Sequence, residues 1–287
     1  VMLPIYVRLF NIVLNTGNVP TDWTIGIIQP LYKNKGNPND PDNYRGITIL
    51  SCLGKLFTAL VNSRLENFLN EGGYLGFEQA GFRKGFSTMD HIFTLHTLIN
   101  LYQNKGKKLY CCFVDYKKAF DSVDRIELWK KVLSNDINGK IFNVVKNMYQ
   151  KAKSCVKVNG QLSNFFSCNT GVRQGENLSP LLFAIFLNDL EMFLAKYYKG
   201  LPLASNLLSE LLETEDTVIY IKLFILLYAD DTIILAESPE QLRKALDAMH
   251  QYCTLYKLEI NISKTKIVIF SKGVVRNNPQ FTYNGVN

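Results

Sequence analysis

At 287 residues with 47% hydrophobic side chains, the chain is long enough for a substantial buried core, in one large domain or two smaller ones, and intrinsic disorder is excluded. An excess of 32 Lys and Arg over 25 Asp and Glu gives a net charge of +7, which favours a polyanionic partner without naming one. Charge alone decides nothing further, because lysines such as Lys105, Lys107, Lys108, Lys130 and Lys131 read equally well as solvated surface.

In chain order, VMLPIYVRLFNIVLN carries apolar residues at helical spacing without the layout of a signal peptide, and Val1 suggests an excised or partial protein. A strand-like run, Ile25 to Leu31, leads into a loop from Lys33 to Gly46. Ile47 to Leu50 and the periodic stretch LGKLFTALVNSRLENFL then read as a helix ended by Glu71-Gly72-Gly73. A second glycine-broken loop, GFRKGFST, precedes a helix from about Thr88 to Tyr102.

Leu109 to Tyr116 reads as a buried strand ending in Asp115, with Cys111 and Cys112 on opposite faces. Asp124 followed by Glu127 fits a capping box ahead of IELWKKVL. CVKVNGQLSNFFSC alternates around Asn159-Gly160, a strong hairpin signal, and Ser179-Pro180 starts a helix through LLFAIFLNDLEMFL with Ser179 as N-cap. Lys199 to Thr217 is less regular and reads as a peripheral insertion, about 197–220. FILLYADDTIILAES is a hairpin with carboxylates at its tip. A helix from about Pro239 to Tyr256 and a last strand, IVIF, follow. Helices interspersed with antiparallel hairpins predict an α+β fold.

The six cysteines lack the paired short spacing of a zinc site, and His91, His96 and His250 form no ligand set. Reduced cysteines suit an intracellular protein, in nucleus or cytoplasm. The apolar stretches Leu181 to Leu187 and Leu223 to Tyr228 fall far short of the roughly 20 residues of a spanning helix, so no membrane partner is expected.

Two aspartates at a hairpin tip are common in ordinary turns. Asp115 changes their meaning. An acid ending an otherwise apolar strand costs several kcal/mol unless it is solvated, paired or metal-bound. If its strand neighbours the Asp230-Asp231 hairpin, three carboxylates converge on one sheet edge. Hard divalent cations favour such oxygen sets, and two of them about 3.5–4 Å apart serve phosphoryl transfer.

FVDYKKAFDSV, GVRQGENLSPLLF, LLYADDTIILAES and LEINISKTKIVIF resemble, in order, the palm motifs of reverse transcriptases. NYRGITILSCLGKLF and QAGFRKGFSTMDHI resemble the finger motifs of their non-LTR, LINE-type branch. The resemblance covers about Thr24 to Lys272 and implies a right-hand polymerase: fingers with an N-terminal extension over 1–108, a palm with an antiparallel sheet packed on helices over 109–287, and an absent thumb. It implies Asp115, Asp230 and Asp231 as catalytic ligands of Mg²⁺, with Mn²⁺ as an alternative, and an RNA template, a DNA primer and dNTPs as partners. It also implies dNTP contacts from Arg45, Phe120, Gln174, Gly175 and Lys264, with Phe120 as the steric gate against a ribose 2′-hydroxyl. Arg83 resembles a template-contacting residue, and Gly46 departs from the proline usual in the family after Arg45. The rival readings are a catalytically incompetent scaffold that keeps the nucleic-acid groove, a palm-type nucleotidyl cyclase, and a polymerase piece too incomplete to be processive.

Overall fold

The computed structural model describes residues 2–76, 78–204, 220–273 and 279–286. Its elements begin with α1 (Leu3–Thr16), α2 (Thr21–Thr24), β1 (Ile25–Tyr32), a 3₁₀ turn (Pro41–Asn43), β2 (Tyr44–Ile49) and α3 (Cys52–Glu71). They continue with α4 (Thr88–Asn104), β3 (Leu109–Val114), α5 (Ala119–Ser122), α6 (Arg125–Ser134), α7 (Gly139–Gln150), β4 (Lys153–Val158), β5 (Gln161–Leu162) and β6 (Phe166–Ser167). Helices α8 (Ser179–Leu187) and α9 (Leu190–Leu194) precede β7 (Leu201–Ala204), β8 (Tyr220–Leu223), β9 (Ile225–Tyr228) and β10 (Asp231–Ala236). The described chain then forms α10 (Pro239–Tyr256) and β11 (Lys266–Phe270). Two compact units result: residues 1–75 with 120–186, and residues 76–119 with 187–287.

The first unit is organised around a sheet in the order β2-β1-β4-β5, with β6 also on β4. β1 runs antiparallel to β2 and parallel to β4. Ile47–Ile49, expected within a helix, instead belong to β2, where Ile49 pairs with Ile27. Helical periodicity is overridden there by strand pairing, and the helix starts only after Ser51, whose hydroxyl accepts from the Gly54 N–H. The loop expected to reach Gly46 ends earlier for the same reason, because Tyr44 already faces Tyr32. At the β4–β5 hairpin, Asn159 and Gly160 take φ of 49° and 82°, the two left-handed positions that this turn sequence favours. Phe10, Trp23 and Phe57 form an aromatic cluster with centroid distances of 5.4 to 5.9 Å.

The helix expected from Ser179 through Leu194 breaks at Asn188 and Asp189, separating α8 from α9. Within the second unit, the Asp189 carboxylate accepts hydrogen bonds from the hydroxyls of Tyr252 and Tyr256, and Asn188 accepts from the Gly76 N–H. Ser179 is not an N-cap: its hydroxyl donates to the Arg173 carbonyl and meets the Tyr149 hydroxyl.

The second unit holds an antiparallel sheet in the order β11-β3-β10-β9. Cys111 and Cys112 are both fully buried, so both faces of β3 are covered, which explains why LYCCFV is apolar throughout. Leu98 and Tyr102 of α4, Leu109 and Cys111 of β3, Leu226 of β9 and Leu235 of β10 share one core. Truncating such a leucine to alanine costs about 2–5 kcal/mol. Of the insertion expected at about 197–220, residues 205–219 lie outside the described residues, and β7 and β8 pair antiparallel beside them.

Candidate active site

Three carboxylates meet at one edge of the second unit's sheet, and strand register brings them there. β10 pairs with β3 so that Thr232 faces Val114, and Asp231 and Asp115 each lie one residue beyond that last pair. β9 and β10 close a two-residue turn, Ala229-Asp230, with Tyr228 facing Asp231. Ala229 adopts φ of 60°, a left-handed conformation that costs an L-residue about 1–2 kcal/mol. The turn is therefore held by its surroundings.

Crowding of like charge is evident in this cluster. The Asp231 carboxyl is raised above its ordinary range, first by burial and then by the charges of Asp230 and Asp115. Asp115 donates its N–H to the Thr265 hydroxyl at 3.2 Å, while its Oδ2 is shielded from solvent and accepts no hydrogen bond. Lys264 stands beside it, with Nζ 3.6 Å from Oδ2. A shielded carboxylate oxygen without a donor, beside two further carboxylates, is the donor set a hard divalent cation fits. Among the described residues no group of three or more His, Cys, Asp and Glu side chains is arranged to hold a metal ion as it stands.

The first unit carries four of the predicted contacts, Arg45, Phe120, Gln174 and Gly175. Arg45 is exposed on β2 and faces Leu31 across the ladder. Gly175 takes φ of 94°, and a Cβ there would stand 2.8 Å from the Thr48 carbonyl of β2, so only glycine lets this loop lie against that strand. Gln174 beside it is half-buried. The half-buried Phe120 ring stacks on Phe183 with centroids 4.8 Å apart and 19° between planes, and its carbonyl accepts from the Val172 N–H.

Two arginines that composition does not single out brace the 168–175 loop. Arg125 donates to the carbonyls of Gly171 and Tyr149, each at 2.8 Å, to Thr170 at 3.1 Å, and to Cys168. Arg173 donates to Trp23 and Thr24 at 3.0 and 3.2 Å. Glu176 is buried close to them, and burial raises its carboxyl against the opposing pull of Arg173 and Arg125. Only its place inside GVRQGENLSPLLF could have flagged it, since a buried acid leaves no periodic signature.

In the second unit, Arg83 is buried; its Nη1 donates to the carbonyls of Gly76 and Gln79, and its guanidinium lies over the Phe86 ring. These two hydrogen bonds go to the protein's own loop. Residues 78–81 run beside β9 as a short parallel bridge, Gln79 to Leu227.

Comparison with known proteins agrees with this arrangement. Residues 32–287 match the family model described as reverse transcriptase (RNA-dependent DNA polymerase). A probable RNA-directed DNA polymerase from transposon BS of Drosophila melanogaster is 30% identical over 268 residues, covering 90% of this chain and 27% of the relative. The RNA-directed DNA polymerase from mobile element jockey of Drosophila funebris is 28% identical, covering 97% of this chain and 29% of its own length. The chain thus spans less than a third of these curated relatives. Among solved structures, apo telomerase from Candida tropicalis, truncated from its C-terminal domain, superposes with a TM-score of 0.62 at 17% identity, covering 98% of this chain and 57% of that one. That likeness shows a shared right-hand polymerase fold. With the family model spanning nearly the whole sequence, the chain belongs to the reverse transcriptase (RNA-dependent DNA polymerase) family.

Proposed function

We propose that this chain is the nucleotide-adding core of a retrotransposon reverse transcriptase, extending a DNA primer with dNTPs on an RNA template. The observation that carries the reading is the β3–β10 register, which ends with Asp231 and Asp115 one residue beyond its last pair, together with an Asp115 Oδ2 that accepts no hydrogen bond. Reverse transcriptases generally need divalent metal ions. Here Asp115, Asp230 and Asp231 would hold Mg²⁺ or Mn²⁺, which when bound supplies charge neutralisation at the reacting phosphate.

In the reaction the primer 3′-hydroxyl oxygen bonds to the α-phosphorus of the dNTP, and the bond from that phosphorus to the pyrophosphate oxygen breaks. The hydroxyl proton leaves to solvent. The side chains of the chain itself act by binding and orientation. Arg45 offers an exposed guanidinium suited to bidentate phosphate recognition. Gln174 and the bare backbone at Gly175 offer amide contacts to the nucleotide, and the braced Phe120 ring crowds a ribose 2′-hydroxyl. Lys264, whose Nζ lies 3.6 Å from Asp115 Oδ2, meets the departing pyrophosphate in this reading. Arg83 serves a template indirectly, through the loop it shapes.

Primer extension on matched RNA and DNA templates tests the reading. Asp230→Asn is expected to abolish extension with either Mg²⁺ or Mn²⁺ while circular dichroism stays unchanged. Extension at the unsubstituted rate would remove the metal assignment. Extension confined to DNA templates would remove the RNA one.

A further inference from the structure

We propose that Gln79 is a positioning residue for the carboxylate turn, its side-chain oxygen fixing the backbone from which Asp230 and Asp231 are presented. The inference rests on the polymerase reading for its catalytic meaning, and on hydrogen bonding for its geometry.

Gln79 is fully buried. Its Oε1 accepts the Gly81 N–H at 2.9 Å and the Ala229 N–H at 3.2 Å. Two backbone donors on one atom settle which end of the amide is oxygen. Nε2 must then point the other way, where it is buried and has no partner among the described residues. An unpaired buried amide nitrogen is unfavourable, and an aliphatic side chain of similar size would avoid it. Packing therefore does not explain a glutamine here, whereas the two accepted hydrogen bonds do.

The setting leaves the Ala229 N–H little alternative. Ala229 is 7% exposed, and a Cβ on Gly81 would stand 2.1 Å from its nitrogen. The Leu227 N–H donates to the Glu78 carbonyl at 2.8 Å and the Ala80 N–H to the Leu227 carbonyl at 2.9 Å, so residues 78–81 are fastened along β9 up to the turn. Arg83 completes the chain of support by donating to the Gln79 carbonyl at 3.0 Å. A motif that the sequence places among finger residues thus ends on the backbone of the catalytic turn. Without the Gln79 acceptor, a buried N–H is orphaned at a residue already in a left-handed conformation, and the turn has reason to relax.

The test compares Gln79→Met, which keeps size and removes the acceptor, with Gln79→Glu, which keeps acceptor oxygens. Three quantities are read on the 287-residue chain: hydrogen exchange at the Ala229 amide by NMR, Mn²⁺ affinity by calorimetry without nucleotide, and single-nucleotide incorporation. For Q79M, Ala229 exchange is expected to accelerate roughly tenfold or more and Mn²⁺ affinity to fall by about tenfold. Its kcat falls while KM for the dNTP changes little. Q79E restores Ala229 protection. A folded Q79M protein with unchanged Ala229 exchange and unchanged Mn²⁺ affinity overturns the proposal. If Q79M does not fold, Q79E decides: protection at Ala229 supports the proposal, and fast exchange there in a folded Q79E protein overturns it. Failure of the unsubstituted chain to extend a primer counts against the polymerase reading alone, because exchange and Mn²⁺ binding are read without catalysis.

Discussion

Lys264 Nζ stands 3.6 Å from Asp115 Oδ2, the carboxylate oxygen that no hydrogen bond reaches. Both side chains are substantially exposed, at 69% and 40%, so the pair contributes only about 0–1 kcal/mol to stability. Its consequence lies in competition, because the ammonium occupies the approach a divalent ion would use. Lys264→Met should therefore tighten Mn²⁺ binding without nucleotide by up to about fivefold. Incorporation should nevertheless slow, since the charge proposed to meet the departing pyrophosphate is removed. Calorimetry and single-turnover kinetics read the two effects separately, and a change in neither would detach Lys264 from the site.

Gly81→Ala should be far more damaging than its size suggests. The added carbon would stand 2.1 Å from the Ala229 backbone nitrogen, and backbone cannot swing aside as a side-chain tip can. Either the 78–81 segment leaves β9 or the carboxylate turn shifts. A displacement on the order of 1 Å costs about 100-fold in rate. We expect that loss in incorporation, with about 1–3 kcal/mol of destabilisation from overpacking measured by denaturant titration.

Phe120→Val tests the gate. Shortening the side chain removes the ring stacked on Phe183, with a stability loss of about 0.5–1.5 kcal/mol from that contact. Discrimination against ribonucleotides should relax by roughly tenfold or more. The measurement is the ratio of kcat/KM for a dNTP and the matching rNTP, and an unchanged ratio would leave Phe120 with a packing role alone.

The acid pair Glu191 and Glu78 gives the second unit a pH dependence. Burial, then the Glu78 charge, pushes the Glu191 carboxyl up to about 7 from an ordinary value of 4.5. The folded state therefore holds a proton that the unfolded state has released. The associated stability is present below pH 4.5, declines as pH rises towards 7, and is absent above it. Glu191→Gln removes the titration. Its melting temperature should exceed that of the unsubstituted chain by on the order of 2–4 °C at pH 8 and converge with it near pH 4. Parallel melting curves across that range would contradict the pairing.

Much of this was legible beforehand for a local reason. The helix over Pro239–Tyr256 and the strands around Asp115 and Asp230 follow from periodicity and turn chemistry carried by neighbouring residues. The errors fall where a distant partner decides. Ile47–Ile49 are strand because β1 lies beside them, and the α8–α9 break comes where Asp189 meets two tyrosines of α10. Arg125 bracing three loop carbonyls and that of Tyr149, and Gln79 accepting from the Ala229 N–H, could not be read from spacing, since their partners lie 24 to 150 positions away.

For the carboxylates themselves, the sequence determined their identity, their order and their place at strand ends. Tertiary structure decided that β3 and β10 are neighbours, with Asp115 and Asp231 next to their last pair, and that a buried glutamine holds the turn between β9 and β10. Side-chain type and local propensity are properties of the chain, whereas register and mutual charge repulsion exist only once two strands share hydrogen bonds.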